Sequence, residues 1–285
     1  MIRLDDNLEY MILSTCNLNC PNCDRFSNFE LKPYFITVDD FKKDIIEWSK
    51  VSFIDELCLL GGETFMHPDL VKLLQVAKDY ANTGSIRIIT NGTLFHKKRN
   101  FNVIDTLLEF DIPAVLEVSI HLYDDLEKKK IWSNLKKYIL KNFKWIPQSK
   151  TQITYQNVTI YIRDYTAPDM LWHPYNRVID GKLKPYQDDN PELSWKRCGF
   201  YKCASIYKGK LYKCPRTALL SDYLSKFNQM SDPDWEKYLY YEGVSYEDGL
   251  EALERFVKQR KHSEAVCGMC PAYELAKPQR DAKFK

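Results

Sequence analysis

Between residues 8 and 163 the sequence alternates strand-like and helix-like segments at intervals of about 30 residues, and that rhythm leaves few folds open. LEYMILS (8–14), IDELCLL (54–60), IRIIT (86–90), AVLEVSI (114–120) and VTIYI within 152–163 read as strands. TVDDFKKDIIEWSK (37–50) reads as a helix with Thr37 as N-cap, Asp40 in its first turn, and Phe41, Ile45, Ile46 and Trp48 on its apolar face. His67-Pro68-Asp69 opens a second helix through Tyr80, with Leu70, Leu73, Leu74 and Ala77 at helical spacing. Residues 101–109 and the charged stretch 124–142 are helical as well. Strand and helix in this order predict a parallel sheet with right-handed crossovers. Five strands, or six, are too few for a complete eight-stranded barrel.

Cysteine divides the chain. The nine cysteines stand at 16, 20, 23, 58, 198, 203, 214, 267 and 270, in an odd total and in tight clusters, which argues against a disulfide framework. The C-x3-C-x2-C triplet Cys16, Cys20, Cys23 follows the first strand; chance supplies such a triplet about 0.01 times in a chain of this composition. Cys267 and Cys270 have chelating spacing too. Cys58 lies inside an apolar strand and reads as a core residue. Three further polar stations follow strands: Gly61-Gly62-Glu63, Asn91-Gly92 and Ser119-Ile120-His121. In parallel α/β folds the chemistry sits at the carboxyl ends of strands, so these four stations belong to one rim. His67 reads as helix-start chemistry, and His121 is open between a site role and a packing role. Residues 164–197 lose periodicity and read as a linker or a substrate-contacting loop. From Cys198 a cysteine-rich module begins, with a hairpin at 204–214 turning on Lys208-Gly209 and helices at 232–241 and 246–260.

Cys16-Asn17-Leu18-Asn19-Cys20-Pro21-Asn22-Cys23 together with Gly61-Gly62-Glu63 resembles the radical S-adenosylmethionine (SAM) superfamily, over roughly residues 8–163. The C-terminal part resembles the SPASM/twitch extension. The resemblance implies an α/β fold with a partial (β/α)6 TIM-like barrel core (1–165), a linker (166–197) and a small cysteine-rich extension (198–285). It implies a [4Fe–4S] cluster on Cys16, Cys20 and Cys23, three thiolates that leave one iron open for SAM. It further implies SAM contacts from Gly61, Gly62 and Glu63, the last as an anionic acceptor for an ammonium, and by position from Asn91 and Ser119. The residue before the third cysteine is usually aromatic in this family and lies near the adenine; here it is Asn22, which passes the contact to backbone or to a side chain such as Phe26 or Phe29. Cys198, Cys214, Cys267 and Cys270 resemble the ligands of an auxiliary [4Fe–4S] cluster, with Cys203 as an alternative to Cys198. Zinc is the competing occupant of either set.

The expected function is a radical SAM oxidoreductase that abstracts a substrate hydrogen through a 5′-deoxyadenosyl radical, with the auxiliary cluster taking an electron or binding substrate. The resemblance implies a one-electron reductant such as flavodoxin or ferredoxin. A small hydroxylated metabolite and a peptide compete as substrates. The first strand begins by residue 8, with no leader-binding domain before it, which favours the small molecule slightly. A zinc-stapled binding protein and a glycyl-radical activase are the other readings. With 41 basic and 39 acidic residues, a strongly basic nucleic-acid binder is not indicated. No apolar stretch approaches the roughly 20 residues that cross a bilayer, and the acidic N-terminus is unlike a signal peptide, so the expected location is cytoplasmic.

Overall fold

The first strand is longer than its periodicity predicts. In the computed structural model, which describes all residues except 30–31, 101, 143–145, 148–150, 168–176, 187–189, 200–202, 274–282 and 285, β1 runs from Ile2 to Leu13. Ile2 and Leu4 are buried, but the ladder shifts register between Leu4 and Asn7. That irregularity breaks the two-residue alternation, so a period-based reading finds only the second half of the strand.

After β1 comes α1 (Val38–Val51), where Thr37 Oγ1 accepts from Asp40 N at 3.1 Å, the cap expected from sequence. Then follow β2 (Ser52–Gly61), α2 (Leu70–Tyr80), β3 (Ile86–Thr90), α3 (Asn102–Leu108), β4 (Ala114–Ile120) and α4 (Asp125–Asn142). The segment 152–163 holds two strands, β5 (Gln152–Tyr155) and β6 (Val158–Asp164), in an antiparallel hairpin. β1, β2, β3, β4 and β6 are parallel neighbours in that order. The result is a mixed α/β fold around a sheet whose centre is parallel.

A sixth parallel strand comes from the segment read as the start of the C-terminal module. β7 (Cys203–Tyr207) lies against β1, with Asn7 opposite Cys203 and Glu9 opposite Ser205. A division at residue 198 therefore cuts through the sheet. The reason is physical: β1 is buried, and without β7 its outer row of N–H and C=O groups would be an open edge. Ala204 and Ile206 join the same core as Leu8 and Tyr10. Lys208 and Gly209 have φ of 49° and 78°, the left-handed pair a two-residue hairpin requires, and lead into the antiparallel β8 (Lys210–Tyr212).

The 166–197 stretch contains the antiparallel pair Arg177–Ile179 and Lys182–Lys184 and a short helix, α5 (Pro191–Lys196), capped by Asn190; its residues 168–176 and 187–189 lie outside the described ones. α6 (Pro215–Lys226) is a helix the sequence reading lacks, although Pro215 in its first turn and the buried Leu219, Leu220, Tyr223 and Leu224 are its signals. α7 (Pro233–Leu239) and α8 (Leu250–Arg260) follow. α1 to α4 cover one face of the sheet, with Phe41, Trp48, Leu73, Leu107 and Leu135 in that core. On the other face a second core gathers Met11, Phe26, Tyr207, Leu219, Tyr223, Trp235 and Met269.

Lys213, 7 % exposed, fastens the end of β8 to the loop before Cys267. Its ammonium donates to Arg260 O at 2.9 Å, His262 O at 2.6 Å and Glu264 Oε1 at 2.7 Å. Lys213→Met removes three charge-assisted bonds made by a buried ammonium and should lower the unfolding free energy by about 2–3 kcal/mol in urea titrations. A loss below about 0.5 kcal/mol, the range of an ordinary surface substitution, would contradict this role.

Candidate functional site

The strand ends converge because the turn after β2 is folded onto the end of β1. Gly62 N donates to Leu13 O at 3.1 Å and Glu63 N to Thr15 O at 2.8 Å. A Cβ on Gly61 would stand 2.0 Å from Leu13 O, and one on Gly62 2.1 Å from Thr15 O. The two glycines are thus required by the chain's own close approach, one residue before Cys16.

Glu63 is 1 % exposed and faces inward rather than into open space. Its carboxylate accepts from Phe65 N at 2.9 Å, Thr90 Oγ1 at 2.5 Å and Asn91 N at 2.6 Å. The side chain thereby locks the end of β2 to the end of β3. Burial pushes its pKa up to about 7, against the opposing pull of those three donors. Asn91 carries the lock onward. Its Nδ2 donates to Asn17 Oδ1 at 2.9 Å and approaches Cys16 Sγ at 3.9 Å, while its Oδ1 accepts from Thr93. Leu18 N donates to Cys16 Sγ at 3.4 Å.

The far side of the cysteine loop is pinned by charge. Arg25 Nη2 is 2.6 Å from Glu9 Oε1 in β1, and Ser205 Oγ in β7 donates to the other oxygen of Glu9 at 3.1 Å. Burial raises the Glu9 pKa, with Arg25 opposing. A second charged run crosses the sheet: Arg87 makes a two-pronged pair with Glu56 at 2.8 and 2.9 Å and reaches Glu117 at 2.8 Å, and Arg163 stands 3.4 Å from Glu117. The sequence reading missed these residues. Their signal is a lone charge at an alternate position of an apolar strand, as Glu9 is in LEYMILS and Glu117 in AVLEVSI.

Together these elements enclose a cavity of about 470 Å³. Cys16, Cys20, Cys23, Gly61, Gly62, Asn91 and Ser119 all line it, as do Glu9, Arg25, Arg87, Glu117 and Arg163; Glu63 stands behind the wall. His121 lines it too, stacked on Tyr165 with ring centroids 4.8 Å apart, and enclosure pushes its pKa down to about 4. Phe26 and Phe29, offered as examples of side chains for the adenine contact, pack against Tyr223.

A separate cavity of about 30 Å³ is lined by Cys198, Cys214, Cys267 and Cys270 with Ser194, Trp195, Val266 and Met269. Burial pushes the Cys270 thiol up to about 12. Cys203 lines the first cavity, and Cys58 is fully buried inside β2. Among the described residues no three Cys, His, Asp or Glu side chains converge on a single ion position.

The family model of the radical SAM superfamily matches residues 10–164, more than half the chain. This chain belongs to the radical SAM superfamily. Over 137 residues it is 27% identical to a GTP 3′,8-cyclase of Chlorobaculum tepidum, a match covering 46% of this chain and 36% of that protein. It thus spans about a third of that curated relative's length. The structure of BtrN in complex with AdoMet and 2-DOIA superposes over 95% of this chain and 94% of BtrN, with 14% identity and a TM-score of 0.51, a likeness of fold. Streptococcus suis SuiB bound to precursor peptide SuiA matches over 48% of this chain and 31% of SuiB, at 18% identity and a TM-score of 0.37. No helix among the described residues is long and apolar enough to cross a membrane.

The superfamily implies a [4Fe–4S] cluster and SAM, and the donor set fits them. Three thiols on one pinned loop face a cavity of ligand size beside two glycines and an asparagine.

The lock at Glu63 makes stability depend on pH. Its carboxyl titrates near 4.5 when unfolded and near 7 when folded. The folded state therefore holds the proton more tightly, so this contribution is complete below about 4.5 and is lost as pH rises through 7. Relative to Glu63→Gln, the metal-free parent should lose about 2.5 kcal/mol between pH 5 and pH 8 in urea unfolding. A difference between the two proteins that does not change with pH would contradict the assignment.

Proposed function

We propose that this radical SAM enzyme oxidises a small polar metabolite, with a [4Fe–4S] cluster on Cys16, Cys20 and Cys23 and an auxiliary [4Fe–4S] cluster on Cys198, Cys214, Cys267 and Cys270 as electron acceptor. The observation that carries this reading is that Cys16, Cys20 and Cys23, on one loop, line one cavity, with Cys203 of β7 also on its wall, while Cys198, Cys214, Cys267 and Cys270 line a separate one. Three thiolates leave one iron for SAM, and four close a cluster. When bound, the first cluster and SAM supply a 5′-deoxyadenosyl radical that takes a hydrogen atom from the substrate. The chain's own residues hold and enclose the reactants. Gly61, Gly62, Asn91 and Ser119 are the proposed SAM-facing wall, and Glu63 serves that wall from behind by fixing Thr90 and Asn91.

The substrate class follows from the rest of the lining. Glu9, Arg25, Arg87, Glu117 and Arg163 present carboxylates and guanidiniums to the cavity. An apolar peptide side chain placed there would strip water from charged groups without replacing their hydrogen bonds. A hydroxylated or aminated metabolite replaces them. AdoMet, which BtrN binds, is the ligand proposed for the same cavity here, and flavodoxin or ferredoxin is the proposed reductant.

Replacing Cys16, Cys20 and Cys23 together with alanine should abolish 5′-deoxyadenosine formation under dithionite and remove about half of the bound iron. Cys198→Ala should remove the other half, and Cys203→Ala should keep both. A triple variant that retains all its iron, or still makes 5′-deoxyadenosine, overturns the first assignment. A second site that holds zinc overturns the auxiliary one.

A further inference from the structure

A basic loop stands beside the first cysteine set and takes no part in the cavity. It begins at Thr93, whose Oγ1 accepts from Asn17 Nδ2 at 2.8 Å, so its first residue is bonded to the neighbour of Cys16. Phe95 is buried and meets Phe65 edge-on, with ring centroids 5.2 Å apart. Asn100, also buried, closes the loop by donating through Nδ2 to Leu94 O at 3.0 Å and Phe65 O at 3.2 Å. Between these two anchors stand His96, Lys97, Lys98 and Arg99, four exposed residues in succession. Many exposed lysines elsewhere are neutralised: Lys50, Lys72, Lys78, Lys130, Lys196 and Lys208 each lie 2.5–2.9 Å from a carboxylate. Among the described residues no carboxylate pairs with Lys97 or Lys98. Arg99 reaches only the carbonyls of Phe65 and Met66, at 3.4 and 3.5 Å, which leave its charge uncancelled.

We propose that loop 96–99 is the docking surface for an acidic one-electron carrier protein, which reduces the cluster held by Cys16, Cys20 and Cys23. This rests on the first-cluster reading above. In the transfer the carrier loses one electron and the cluster gains it, and no covalent bond of this chain forms or breaks. Two physical requirements meet at the loop. Electron transfer falls off steeply with distance, so the carrier must sit close to the cluster, and the basic run begins three residues after Thr93, the partner of Asn17. Opposite charge steers two proteins into contact, and cations without carboxylate partners supply it toward an acidic one. The buried anchors at Phe95 and Asn100 hold the patch in place before a partner arrives, so little ordering opposes docking. A nucleic acid fits less well: the loop's few cations neutralise few phosphates, and the chain carries a net charge of only +2.

The test pairs binding with turnover in the full-length, anaerobically reconstituted protein. Lys97→Glu with Lys98→Glu reverses the patch. Lys136→Glu with Lys137→Glu, at exposed positions farther along α4, makes the same change in net charge elsewhere. Calorimetry at low salt measures the binding of an oxidised flavodoxin and of an oxidised ferredoxin to each protein. At least one carrier should bind the parent, and the loop variant should bind it roughly tenfold or more weakly, with a shallower dependence on salt. The α4 variant should stay with the parent. Formation of 5′-deoxyadenosine driven by that reduced carrier should fall in the loop variant, while formation driven by dithionite keeps the parental rate. A parent that binds neither carrier, a loop variant that binds as the parent does, or an α4 variant weakened as much as the loop variant overturns the docking surface. So does a loop variant whose dithionite-driven rate falls as far as its carrier-driven rate. A single-stranded RNA that binds the parent more tightly than either carrier, and is lost in the loop variant, overturns the choice of partner. A parent that forms no 5′-deoxyadenosine even under dithionite overturns the first-cluster reading and this proposal together.

Discussion

The site depends on one backbone clamp. Gly62 N and Glu63 N bind the carbonyls of Leu13 and Thr15, and the Glu63 carboxylate binds Thr90 and Asn91. Three strand ends are thereby held to one another just before Cys16. Each part of the clamp follows from sterics or from hydrogen bonding. Only glycine admits the carbonyl oxygens at 61 and 62, and a buried carboxylate is tolerable only where donors meet it. Cys16 then inherits a fixed place, and Asn17 and Asn91 fix its neighbours.

The rest of the sheet face is divided by polarity. Toward β7 it is closed by the apolar side chains of α6 and α7. Toward β4 and β6 it is left charged, with Arg87 between Glu56 and Glu117 and with Arg163 beyond. Burying such groups is unfavourable unless they are paired, and their near-complete pairing is what lets a charged wall persist beside a core. A wall of this kind discriminates among substrates by hydrogen bonding, which supports a polar one. The second thiol set lies apart, in a cavity lined also by Trp195, Val266 and Met269 and by Ser194, Lys213 and Thr217.

Much of this was legible in the sequence, because apolar runs and polar stations repeat with the period of a strand–helix unit. β3 and β4 have the bounds read from IRIIT and AVLEVSI, and Thr37 caps α1. The early half of β1 was hidden by the register shift after Leu4. β7 looked like part of a local hairpin, and its parallel pairing with β1 is a contact across about 196 residues that no local pattern encodes. The Gly61-Gly62-Glu63 motif is visible in one dimension, whereas the direction of the Glu63 carboxylate depends on Thr90 and Asn91. Phe26 looked available to a ligand until its left-handed backbone turned it onto Tyr223.

The central claim is that seven thiols make two iron–sulfur sites. Anomalous diffraction from anaerobically grown crystals, recorded on both sides of the iron and zinc absorption edges, addresses it most directly. Two iron-rich peaks are expected, one among Cys16, Cys20 and Cys23 and one among Cys198, Cys214, Cys267 and Cys270, with no zinc signal at either. A single iron peak, or a zinc peak in the second cavity, would contradict it.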